Sequence, residues 1–140
     1  MTNTAAVTLQ GGGSNGSTTI GQIFNSTDSI PLVELEYTSK ANSKGGNFKI
    51  LYEEAKGGGT YTDLSAKASL GSKFTYEMSL SGGVVKISIN GSQVFTKKPS
   101  FSGKKFYFKC GNYDQTATSG SVSTKAYTVV ELYNVKVVHK

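Results

Sequence analysis

Val84–Phe95 reads VVKISINGSQVF. Val85, Ile87 and Ile89 fall on one face of an extended chain and Lys86 and Ser88 on the other, the period of two that marks a strand with one buried side. Asn90-Gly91 follows at once. That dipeptide accepts positive φ at both central positions of a tight turn, so it sends the chain back as an antiparallel hairpin. The same alternation predicts strands over residues 4–10, 17–25, 31–37, 46–53, 73–80, 84–90, 93–97, 104–113 and 125–138. Turn-rich pieces separate them: GGGSNGS, NSTDSIP, KANSKGG, KGGGTYTD and DQTATSGS. No stretch holds a helical period, although LSAKASL (64–70) has room for one helical turn. Many short strands joined by Gly-rich turns predict an all-β, two-sheet antiparallel sandwich or jelly roll. GGGSNGS is too short for a linker and reads as a loop, so residues 1–140 read as a single domain.

Length and composition narrow the function. The 140-residue chain has no run of 18 apolar residues, so no transmembrane helix is expected. MTNTAAVTLQGGGSNGS has neither a basic region nor an apolar core, so it is not a signal peptide. Sequons at Asn15, Asn25 and Asn90 are usable glycosylation sites if the chain is secreted from a eukaryotic cell. The one cysteine, Cys110, rules out an internal disulfide and a thiolate cluster, and it reads as a small buried hydrophobe. One histidine, His139, leaves no basis for a His-based metal site or a Ser-His-Asp triad. No cofactor and no metal are expected.

The net charge is +6, and every basic residue is lysine. A basic surface suits a polyanion. Readers of nucleic acid lean on arginine for bidentate contacts, and this chain has none, so nucleic acid is a poor fit. Spaced lysines suit the spaced carboxylates of an acidic polysaccharide. They suit an ordinary solvated surface equally well.

KKFYFKCGNYDQ, Lys104 to Gln115, carries the most distinctive pattern. Phe106, Phe108 and Cys110 lie on one face, expected between the sheets with Val85, Ile87 and Ile89. Tyr107, Lys109, Gly111 and Tyr113 lie on the other. Three blocks resemble the alginate lyases of polysaccharide lyase family seven, which share a jelly roll with glucuronan lyases. TTIGQIFN (18–25) is similar to the family's strand carrying Gln-Ile-His. FYFKCGNYDQ (106–115) is similar to its YFKAGxYxQ, with Cys110 in the alanine place, and YTVVELYNVKVVHK (127–140) to its closing strand. The resemblance runs from about residue 4 to 139. Two departures stand out. The family's Arg-Thr-Glu-Leu-like strand has no counterpart, so the fold is expected to be incomplete at its N-terminal side, with that strand lost or supplied by a second polypeptide. Phe24 stands where the family has histidine.

The resemblance implies a jelly roll with a polar concave groove, and a secreted polysaccharide lyase that cleaves a polyuronate by β-elimination. It implies Tyr113 and Gln22 as catalytic residues, with Lys109, Gln115, Tyr107 and Phe24 binding substrate. Gln22 would donate to the sugar carboxylate. Tyr113 would take the C5 proton and return it to the leaving oxygen. A phenol ionises near pH ~10 in water, so a cation such as Lys109 would favour its ionised form. With phenylalanine at 24, the resemblance favours mannuronate-rich alginate or glucuronan over guluronate. The alternatives are a carbohydrate-binding sandwich without chemistry, an inactive lyase fragment, and a structural sandwich that associates through its edge strands.

Overall fold

The computed structural model describes residues 1–9, 16–115 and 127–138. Its strands are β1 (Thr2–Leu9), β2 (Ser17–Asn25), β3 (Ile30–Thr38), β4 (Phe48–Tyr52), β5 (Thr60–Leu64), β6 (Phe74–Ser81), β7 (Val84–Ile89), β8 (Ser92–Lys97), β9 (Phe106–Asp114) and β10 (Val129–Lys136). They form two five-stranded sheets, a back sheet in the order β10-β1-β6-β7-β8 and a front sheet in the order β5-β4-β3-β2-β9. Every pairing between neighbours is antiparallel. The fold is the predicted all-β jelly roll. Among the described residues no helix is long and apolar enough to cross a membrane.

The β7–β8 hairpin turns where its sequence requires. Asn90 and Gly91 have φ of 50° and 78°, and the Asn90 side chain accepts from the Thr75 amide at 2.9 Å. Val85, Ile87 and Ile89 are buried and meet Ile20, Ile23, Leu35, Ile50 and Met78 in the common core. Tyr37, Phe48, Phe74 and Tyr76 add an aromatic cluster, with Phe48 and Phe74 edge-to-face at 5.0 Å. Such offset geometries match the positive ring edge to the negative ring face.

Three expectations are corrected. β5 falls in a segment read as turn followed by a possible helical turn. Its sequence TYTDL is polar at four of five positions, which an edge strand tolerates because no described strand pairs with one long side of it. Residues 65–70 are not helical; they run on from β5, and the Ala68 carbonyl accepts from the buried Tyr37 hydroxyl at 2.9 Å. Phe106, Phe108 and Cys110 face inward but are only partly covered. β9 ends its sheet and β10 ends the other, so no described strand closes the sandwich on that side. A cleft of about 480 Å³, lined by Met1, Leu80, Phe108 and Val138 among others, opens there. The reading of GGGSNGS as a loop falls largely outside the described residues, as do most of DQTATSGS and His139.

The candidate functional site

The outer face of the front sheet is organised by register. Phe24 of β2 stands opposite Tyr107 of β9. In the next row Lys109 of β9, Gln22 of β2, Glu34 of β3, Leu51 of β4 and Tyr61 of β5 follow one another across the sheet. In the row beyond it the order is Tyr113, Thr19, Glu36, Lys49 and Asp63.

Strict alternation along β2 would put Ile20, not Thr19, on the face of Gln22. The pairing of β2 shifts between Thr19 and Gly21 against both of its neighbours. An irregularity of this kind re-aims side chains without ending the strand. It turns Ile20 into the core, where its carbonyl accepts from the Tyr76 hydroxyl at 2.6 Å, and leaves Thr19 beside Gln22. Gly21 is needed at this point. A Cβ there would come within 2.9 Å of both Met78 Sδ and Tyr76 Cε2.

Lys109 is held by aromatic rings. Its ammonium lies 3.5 Å from the Phe24 ring centroid and 5.4 Å from that of Tyr107, and the two rings are 5.3 Å apart. The rings' negative faces attract the cation. Tyr113 is about half exposed. The residues on either side of it are tied toward the start of β10. Asn112 accepts from Thr18 Oγ1 and donates to the Thr128 carbonyl, and Asp114 accepts from Thr128 Oγ1, each at 2.7 Å. Gln115 donates from its backbone to Ser17 O at 2.9 Å and from Nε2 to Thr19 Oγ1 at 3.2 Å.

Gln22 is buried, and its Nε2 donates to Glu34 Oε1 at 2.5 Å. Thr19 Oγ1 makes a longer contact of 3.4 Å to the second oxygen, Oε2. Gln22 Oε1 is buried without a partner. Burial pushes the Glu34 carboxyl up, and the carboxylate of Glu36 adds to the rise, while the bonds from Gln22 and Thr19 oppose it. Glu36 is fully buried and paired with Lys49 Nζ at 3.0 Å, and the same ammonium lies 4.7 Å from the Tyr61 ring centroid. Among the described residues no group of three His, Cys, Asp or Glu side chains is placed to hold a metal ion.

Gln22, Lys109, Phe24 and Tyr107, all predicted from sequence, form one contiguous cluster, and Tyr113 and Gln115 adjoin it through Thr19. The sequence reading missed Thr19, Glu34, Glu36 and Lys49. The signal for the two acids was in PLVELEY, where they alternate with Val33, Leu35 and Tyr37. That alternation also describes a strand with one solvated side, so it did not single them out. The site can therefore offer a fixed cation, an amide, a phenol and a buried acid on one face.

The family model for alginate lyase matches residues 1–139. The chain is similar in structure to an alginate lyase of Pseudomonas aeruginosa, at 22% identity and a TM-score of 0.78, over 99% of this chain and 63% of that one. It is similar to a marine family-7 alginate lyase of Zobellia galactanivorans, at 25% identity and a TM-score of 0.77, over 99% of this chain and 60% of that one. An alginate lyase of Klebsiella pneumoniae matches at 22% identity and a TM-score of 0.74, over 99% and 59%. The chain thus spans about three fifths of the length of these structures. No curated protein matches it.

Proposed function

The chain belongs to the alginate lyase family, and from that premise we propose that it binds an acidic polysaccharide of uronate units on the outer face of the front sheet and cleaves it by β-elimination. The observation that carries this reading is the row Lys109–Gln22, flanked by Phe24–Tyr107 on one side and by Tyr113 on the other.

The chemistry asks for these groups. The C5 proton of a uronate is very weakly acidic while the attached carboxylate is ionised. Charge moves onto the carboxylate only if donors meet it as the proton leaves. Lys109, fixed over its rings, supplies a cation, and Gln22 supplies an amide. Tyr113 as phenolate takes the C5 proton. The C5–H pair forms the C4–C5 double bond, the C4–O bond breaks, and the phenol returns its proton to the departing oxygen. With no arginine in the chain, further positive charge comes from another lysine or from a second polypeptide along the open edge of β9.

Phe24 bears on substrate class. In mannuronate and glucuronate the C5 hydrogen and the C4 oxygen lie on one side of the ring, so a single phenol serves both transfers. In guluronate they lie on opposite sides and a second proton-transfer group is needed, which a phenyl ring cannot be. The expected substrates are mannuronate-rich alginate and β-glucuronan, and the expected site of action is extracellular.

The test is to incubate the chain with poly-mannuronate, poly-guluronate and glucuronan and follow the unsaturated product in the near ultraviolet. Product from the first or third supports the reading, and product from poly-guluronate alone defeats the stereochemical argument. A second reading, a face that binds polyuronate without cutting it, is favoured by one observation: the Gln22 amide donor is held by Glu34. Binding with no product from any of the three supports that second reading.

A further inference from the structure

Gln22 does not hold its amide donors free for the task just given to it. Its N–H donor is bonded to Glu34, and its unpartnered carbonyl oxygen is buried in the site. A bare carbonyl oxygen repels a sugar carboxylate, whereas the amide N–H groups attract one. Rotating the amide end for end repairs this, but it turns Oε1 toward Glu34. Two oxygens then face each other, and the contact is favourable only with a proton between them.

We propose that Glu34 is the positioning residue for Gln22: as the neutral acid it donates to Gln22 Oε1 and turns the amide N–H groups toward a bound uronate, and as the carboxylate it holds those N–H groups itself. The inference rests on the polyuronate reading of this face. The proton comes from solvent, and no other bond changes.

The surroundings fit a carboxyl that takes up a proton when a polyanion arrives. From β2 it faces Gln22 and Thr19, and from β3 the carboxylate of Glu36. Glu53, just after β4, adds a second negative charge, and Tyr61 of β5 titrates within reach of Glu34's charge. Lys49, in the neighbouring row, is ion-paired with Glu36, and Lys109, beyond Gln22 in the row of Glu34, lies over the Phe24 ring. A uronate carboxylate beside Gln22 adds negative charge and favours the neutral acid further. Thr19 fixes which Glu34 oxygen is free to carry the proton. Its hydroxyl accepts from Gln115 Nε2 and donates onward to Oε2, leaving Oε1 for Gln22.

The experiment is calorimetry of a mannuronate oligomer binding to the Tyr113→Phe chain, which cannot consume it, in buffers of different protonation enthalpy over a range of pH. Between the carboxyl's pKa in the free chain and its higher pKa in the bound one, binding should take up close to one proton. Kd should then rise by up to about tenfold per pH unit on that limb. Adding Glu34→Gln supplies a permanent donor, because its oxygen faces Thr19 and its amide faces Gln22. Proton uptake and the pH limb should both vanish, with affinity staying at its low-pH level. Uptake that persists in the double variant, or binding with no uptake in the Tyr113→Phe chain, overturns the role of Glu34 and leaves polyuronate binding standing. No binding by either chain at any pH overturns both. If the double variant does not fold, carbon-13 titration of Glu34 in the Tyr113→Phe chain decides: its midpoint must rise when the oligomer is added, and an unmoved midpoint overturns the proposal.

Discussion

The Lys109 ammonium sits 3.5 Å from the centre of the Phe24 ring, on the face of the sheet that also carries Gln22 and Tyr113. Phe24 therefore has a physical role in the site. It anchors the cation that a uronate carboxylate would meet. Contacts of this kind are worth about 0.5–2 kcal/mol, depending on how dry the site is.

Removing that cation tests the electrostatic part of the binding. Lys109→Ala should weaken affinity for a mannuronate oligomer roughly tenfold, the scale of one charge-assisted hydrogen bond. Phe24→Leu should weaken it less, because the charge stays while its anchor goes. Raised salt should weaken wild-type binding, since screening acts over about 8 Å at physiological ionic strength. Affinity independent of salt, or equal for a neutral glucan, would show that charge does not carry recognition.

Tyr113→Phe separates binding from chemistry. The ring and its neighbours' bonds to Thr18 and Thr128 remain, and only the phenolic oxygen, the proposed proton carrier, is lost. Turnover on poly-mannuronate should vanish while the oligomer's Kd stays within about twofold. Gln22→Ala should instead leave slow turnover, lowered by ~10²–10³-fold, as for loss of one preorganised donor. Steady-state rates beside calorimetry distinguish the two. Full activity in the phenylalanine variant would remove Tyr113 from the mechanism.

The β7–β8 hairpin was legible in the sequence because alternation and turn chemistry agreed at Val84–Phe95. Lys109 and Tyr113 were legible as face-mates for the same reason. The irregularity at Ile20 was not, because it depends on Gly21 packing against Met78 and Tyr76 from the other sheet, and no local pattern announces such a contact. β5 was hidden because a polar edge strand resembles a turn in composition. Glu34 and Glu36 read as solvated positions. Their burial depends on the neighbouring strands and on side chains such as Lys49, which only the tertiary fold brings over them.

Cys110 tests how well the half-covered inner face of β9 excludes water. Burial pushes its thiol up, so at any given pH a smaller fraction is thiolate than in a free cysteine. Alkylation by iodoacetamide near pH ~8, where a free thiol is substantially ionised, should be slower than for free cysteine. It should accelerate as pH rises and reach the free rate in denaturant. Folded protein that labels at the free rate would mean that β9 is not seated against the back sheet.

Gly21 links stability to the site. Alanine there would place a methyl group 2.9 Å from Met78 Sδ and from Tyr76 Cε2. The tyrosine ring has little freedom to retreat, because its hydroxyl accepts from Asn3 Nδ2 at 2.9 Å and donates to the Ile20 carbonyl at 2.6 Å. Overpacking of this kind costs about 1–3 kcal/mol. Gly21→Ala should therefore lower the denaturant midpoint by a matching amount. β2 can relieve the clash only by moving away from the back sheet, and that shifts Gln22 and Thr19 relative to Lys109 and Tyr113. Turnover should accordingly fall by more than the loss of folded protein explains. Tyr76→Phe is the control, since it removes two buried hydrogen bonds without adding volume. It should lower stability by ~1–3 kcal/mol and leave turnover per folded molecule nearly unchanged. Equal activity per folded molecule in both variants would mean that the packing beneath β2 does not set the geometry of its outer face.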